Sequence, residues 1–186
     1  EVLRVHPDNL NPDRELVQVG AELIGPNTVT ADLEVIQIAL DALKRLGTKN
    51  ISIDITAPTL IPLILRSVGL DPASSLELRG ALDRKDIKAV EGHEGKNAML
   101  LGNIMTTVGA WEVGIKKLRE LILPIGVIEI IDRLEKLASL ISSESDIAEV
   151  TIDPIENRGF EYYSGIGFSF FSRGIRGELG RGGRYS

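Results

Sequence analysis

The residues best equipped for chemistry crowd into one stretch, ENRGFEYYSGIGFSFFSRGIRGELGRGGRYS, residues 156 to 186. Tyrosines can line a pocket for a flat or polar ligand, and an arginine fork beside glycine can hold a carboxylate or phosphate. Read as an extended strand, Tyr162, Ser164, Ile166, Phe168 and Phe170 point one way, and Glu161, Tyr163, Gly165, Gly167 and Ser169 point the other. The first set suits a core. The second pairs a carboxylate and a phenol with small residues, leaving room for a ligand against the backbone. A half-buried strand whose glycines merely ease curvature has the same pattern, so the pocket is one of two readings.

A second constellation lies in RELVQVGAELIG, where Arg14, Leu16, Gln18, Gly20 and Glu22 share one strand face and Glu15, Val17, Val19, Ala21 and Leu23 the other. Gln18 and Glu22, separated by a glycine, suit a pocket floor. Arg4 and Arg14 bracket the loop HPDNLNPD, and Arg184 ends the run GRGGR; these three are candidates for an anion or nucleotide site. Arginines facing solvent at strand ends fit the same positions. As a phosphate loop GELGRGGRY has low specificity: it lacks the Gly-Lys-Ser/Thr ending, and no helix follows within the visible chain. Cysteine is absent and only His6 and His93 are imidazoles, so no metal site and no cofactor are expected.

The elements that must position these groups can be read in outline. VLRV and RELVQVGAELIG read as strands, ADLEVIQIALDALKRLG as a helix with Thr30 as N-cap and Gly47 as its stop, and ISIDI as a strand with three inward isoleucines. From residue 58 to 146 helical patterns follow one another without a good strand, among them SLELRGALDRKDIKAVE as one run. IAEVTID and YYSGIGFSFFS return to strand. Sheet, helical block, sheet predicts an α+β class: one core, with 1–57 and 147–186 forming the sheet and 58–146 mainly helical.

Composition narrows the function. With 186 residues and 43% hydrophobic content the chain can bury one ordinary core. A net charge of −6 argues against nucleic acid as a main partner, although four arginines against Glu178 between residues 173 and 184 leave room for a local anion site. No apolar run reaches membrane length and no signal peptide is visible, so a cytoplasmic protein without a membrane partner is expected. Both ends read as cuts through structured sequence.

Taken together, these stretches resemble the class II aminoacyl-tRNA synthetases in their histidyl form. VLRVHPDNLNPDRELVQVGAELIG resembles their second signature, ENRGFEYYSGIGF their histidine-binding signature, and GRGGRY the glycine-rich strand after it. The resemblance implies an antiparallel sheet flanked by helices. By the same resemblance Arg4 would meet the ATP α-phosphate, Gln18 and Glu22 the histidine, Arg158 the activation step, and Tyr162 and Tyr163 the imidazole. Two positions depart from the pattern: His6 stands where the synthetases read adenine with a glutamate, and Glu161 where they carry aspartate.

The wording RELVQVGAELIG, ALDRKD and FEYYSGIGFSFF is most similar to the synthetase-like regulatory subunits of ATP phosphoribosyltransferase. That branch implies a non-catalytic subunit required by the short-form catalytic subunit, with L-histidine as feedback effector of the first step of histidine biosynthesis. It also implies self-association as a dimer. The alternative left open is a histidyl-tRNA synthetase core that activates histidine with ATP.

Overall fold

In a computed structural model, residues 2–3, 15–69, 71–93, 96–144, 147–157 and 162–185 are described. Strands β1 (Val2–Leu3) and β2 (Glu15–Leu16) form a small antiparallel ladder, followed by α1 (Val29–Arg45) and β3 (Ile51–Thr56). The helical block holds α2 (Leu60–Ser67), α3 (Pro72–Asp83), α4 (Ile87–Glu91), α5 (Lys96–Met105), α6 (Trp111–Arg119) and α7 (Ile125–Ser142), with a two-residue strand β4 (Gly109–Ala110) inside it. Strands β5 (Ile147–Asp153), β6 (Gly167–Ser172) and β7 (Gly180–Gly183) close the order.

The main sheet runs β4-β5-β3-β6-β7. It is mixed rather than purely antiparallel, because β3 pairs parallel with β5 and antiparallel with β6. A parallel pair cannot be joined by a tight hairpin, so the chain must travel from one end of the sheet to the other between these strands. The helical block is that crossover. β4 was missed in the sequence because two residues carry no alternation to read.

The alternation of ISIDIT is realised directly. Ile51, Ile53 and Ile55 are buried on one face, continuous across the sheet with Val150 and Ile152 of β5 and with Phe168 and Phe170 of β6. The inward stripes of α1 and α7 join the same core through Ile36, Leu40, Ile131, Leu134, Leu137 and Ile141. α6 reaches β5 closely at Gly114, where a Cβ would fall 2.4 Å from the carbonyl oxygen of Thr107 and 2.6 Å from Ile152.

Local chemistry sets the helix ends. Thr28, not Thr30, caps α1, its Oγ1 accepting from the Ala31 amide at 3.2 Å. Asp71 caps α3 by accepting from the amides of Ala73 and Ser74. The run expected as one helix over SLELRGALDRKDIKAVE is broken. Lys85 takes a positive φ of 54°, its amide and that of Asp86 returning to the carbonyls of Leu82 and Ala81, and the Asp86 side chain caps α4 through the Ala89 amide. A capping aspartate directly after a lysine able to turn was the missed signal.

Candidate functional site

Opposite the isoleucine face, the sheet presents Ser52, Asp54 and Thr56 from β3, Thr151 and Asp153 from β5, Gly167 and Ser169 from β6, and Arg181 and Gly183 from β7. The registers set these in rows. Asp54 lies between Thr151 and Ser169, and Ser169 beside Arg181; Thr56 lies between Asp153 and Gly167, and Gly167 beside Gly183. This polar face carries the chemistry.

At the β6–β7 end stands a tyrosine cluster. Tyr163 is buried, 6% exposed, and lies on Gly183, where a Cβ would come within 2.6 Å of its ring. Gly182 clears the other face for Phe168 in the same way, at 2.4 Å. GRGGRY is therefore a strand whose glycines seat one ring on each face. Tyr163 does share the small-residue face expected of it.

Tyr162 does not join the core; it is 62% exposed. The alternation fails because the strand starts only at Gly167, and the amides of Ser164 and Gly165 both donate to one carbonyl, that of Arg184, at 2.8 and 3.3 Å.

The ring of Tyr185 stacks near Tyr163 with centroids 6.4 Å apart, and its hydroxyl donates to Glu22. Glu22 is thus brought to the tyrosines. Gln18 is exposed and joins none of these contacts, since residues 17–24 form no strand. Arg4, Arg14 and Arg158, like His6 and Glu161, lie outside the described residues.

Arg184 is a correction to the anion site. Its guanidinium faces the helices, donating from Nε and Nη2 to Oδ1 of Asp32 at 3.0 and 2.6 Å. Arg133 of α7 holds the other oxygen of Asp32 at 2.9 and 2.6 Å. This ties α1, α7 and the end of β7 together rather than leaving a cation for a ligand.

Burial pushes the Tyr163 phenol above its ordinary range, helped by its hydrogen bond with Tyr162. Next to it, Arg181 clamps Glu178, whose Oε2 also accepts from Ser169 at 2.9 Å. Along the row, burial lifts the Asp54 carboxyl to about 6, against the lowering effect of the Thr151 hydroxyl at 2.6 Å. The turn at Lys85 delivers its ammonium to Asp153, with Glu156 at 3.7 Å. Burial opposes the charged lysine, yet Asp153, Glu156 and Asp54 outweigh it and leave its pKa raised.

Asp54, Thr56, Lys85, Asp153 and Arg181 were not singled out from the sequence. The signal was present in ISIDIT, whose alternation places a carboxylate and two hydroxyls opposite the isoleucines. Among the described residues no group of three or more His, Cys, Asp and Glu is arranged to hold a metal, and no helix is long and apolar enough to cross a membrane.

Known proteins are similar to this chain in sequence and in fold. The family model described as Histidyl-tRNA synthetase matches residues 1–186. ATP phosphoribosyltransferase regulatory subunits of Rhodospirillum centenum and Paramagnetospirillum magneticum are 42% and 38% identical over 185 residues, 100% of this chain. The chain spans about half of each relative, 48% and 49%. A solved ATP phosphoribosyltransferase regulatory subunit/histidyl-tRNA synthetase from Bacillus halodurans superposes with a TM-score of 0.74 at 24% identity, over 87% of this chain and 44% of that one. An ATP phosphoribosyl transferase (HisG:HisZ) complex from Thermotoga maritima gives 0.70 at 16% identity, over 86% and 57%. At these identities the two structures speak to the fold.

Proposed function

The chain belongs to the histidyl-tRNA synthetase family, and from that premise we propose that it is part of a regulatory subunit of ATP phosphoribosyltransferase. In this reading it performs no catalysis itself. It assembles in the cytoplasm, as a dimer, with the short-form catalytic subunit, supports its activity and conveys feedback by L-histidine. The observation that carries the reading is the identity with regulatory subunits along the whole chain.

The geometry fits a binding role. Tyr162, Tyr163 and Tyr185 form an aromatic wall, Glu22 sits at its edge, and Gln18 and Arg158 are proposed to complete a histidine pocket with them. A ligand bound there more tightly in one assembly state than in another would shift the partner's activity by that difference in affinity.

Co-purification of the full-length protein with the short catalytic subunit, followed by phosphoribosyltransferase assay with and without it, tests the role. A stable complex with raised activity that histidine lowers is expected. No complex and no change in activity overturns it, and histidine-dependent pyrophosphate exchange by the protein alone would favour the synthetase alternative.

A further inference from the structure

We propose that Asp54 and Thr56, on the polar face beside the tyrosine wall, form a subsite for a protonated nitrogen of a small ligand. The choice of histidine as probe rests on the reading above; the subsite itself rests on two independent features of β3.

The first is an orphan. Thr56 is 1% exposed, and its hydroxyl has no hydrogen-bond partner among the described residues. A buried hydroxyl without a partner carries a cost that a bound ligand removes. Its strand neighbours explain the orphan: on the β6 side stand Gly167 and then Gly183, which have no side chain to offer, and on the β5 side Asp153 is taken by Lys85 and by the amides of Ile155 and Glu156.

The second is an incompletely answered carboxyl. Asp54 points to the same face, two residues earlier. Its Oδ1 accepts from Thr151, while Oδ2 accepts no hydrogen bond among the described residues.

The surrounding charges select the ligand. Asp153 and Glu156 reach the group from the end of β5, and Lys85, from the α3–α4 turn, is committed to that pair. Glu178 and Arg181 on the β6–β7 side neutralise one another. Among the described residues Asp54 itself has a hydroxyl on one oxygen and no ion pair, so an anion would be repelled there and a cation is favoured. Burial makes Asp54 easy to protonate in the free protein, and an arriving cation would reverse that. An ammonium or imidazolium N–H donating to Oδ2 of Asp54, with the Thr56 hydroxyl as second partner, satisfies both groups at once.

Calorimetric titration of the full-length protein with L-histidine and with imidazole, using uncharged 1,2,4-triazole for contrast, tests this. Wild type is expected to prefer the two cation-forming probes. Asp54→Asn should weaken them about tenfold and Thr56→Val several-fold, while Ser52→Ala on the same strand face should leave them unchanged. Both test substitutions preserve shape. In parallel, the Asp54 carboxyl carbon, followed by NMR, should titrate near 6 in the free protein and about a unit lower with imidazole bound. Histidine binding untouched by Asp54→Asn, with an unmoved carboxyl titration, would overturn the subsite while leaving the tyrosine pocket standing. Failure of every probe to bind wild type would overturn the subsite too, and the regulatory role would still be decided by co-purification.

Discussion

Two aspartates, one on each side of the sheet, meet burial in opposite ways. Asp32, on the helix side, has both oxygens filled by four guanidinium hydrogen bonds from Arg133 and Arg184. Asp54, on the polar side, has one hydroxyl on one oxygen, and its proton is held to about 6. A fully answered carboxylate fastens elements together and has nothing left to offer. One left short of partners weakens the free protein but keeps its capacity for a ligand.

The contrast can be broken first at Asp32. Asp32→Ala strands two arginines at a three-element junction. Breaking a buried pair typically costs 3–5 kcal/mol, and because both arginines retain some contact with water a loss of about 3 kcal/mol is expected in urea denaturation. A loss below about 1 kcal/mol would place Asp32 on the same footing as an ordinary surface pair.

At Asp54 the sign reverses. A carboxyl whose folded value stands above its unfolded 3.8 lends stability that is complete below 3.8 and is lost as pH rises through about 6. Asp54→Asn should therefore stabilise the ligand-free protein by about 2 kcal/mol at pH 7.5 and give no gain at pH 3.5, read from melts at both pH values. An equal effect at both would show that folding leaves the Asp54 carboxyl at its unfolded value.

Thr56→Val is the smallest test. Removing an unpaired hydroxyl at constant shape should raise stability by about 1 kcal/mol or less without ligand, where the same change at a bonded hydroxyl lowers it. A loss would show that the hydroxyl has a partner in the folded protein.

The core was legible from the chain because isoleucines at every second position admit one solution, and the helical stripes of α1 and α7 admit another. The aromatic cluster was legible in part. Tyr163 and the strand nature of GRGGRY follow from small residues beside large rings, but Tyr162 could not be placed, because the regular strand begins only at Gly167 and the irregular backbone before it leaves no mark in composition. The polar cluster was hidden for a different reason. Lys85 meets Asp153 across 68 positions, and only the left-handed turn, an exception among lysines, brings them together. Arg184 misled for the same reason: its type suggested an anion, and its partner lay far away on α1.

The parallel pairing of β3 with β5 has a consequence for how the protein comes into being. Its helices close through near neighbours in the chain, whereas Asp54 meets Thr151 only after 97 positions have been looped out. Contacts so distant pay their entropy before they return any stability, which slows the step that makes them. The helical block is thus set to order early, and the polar row is assembled in the last, slowest stage. A newly made chain would acquire its helices well before it could recognise anything.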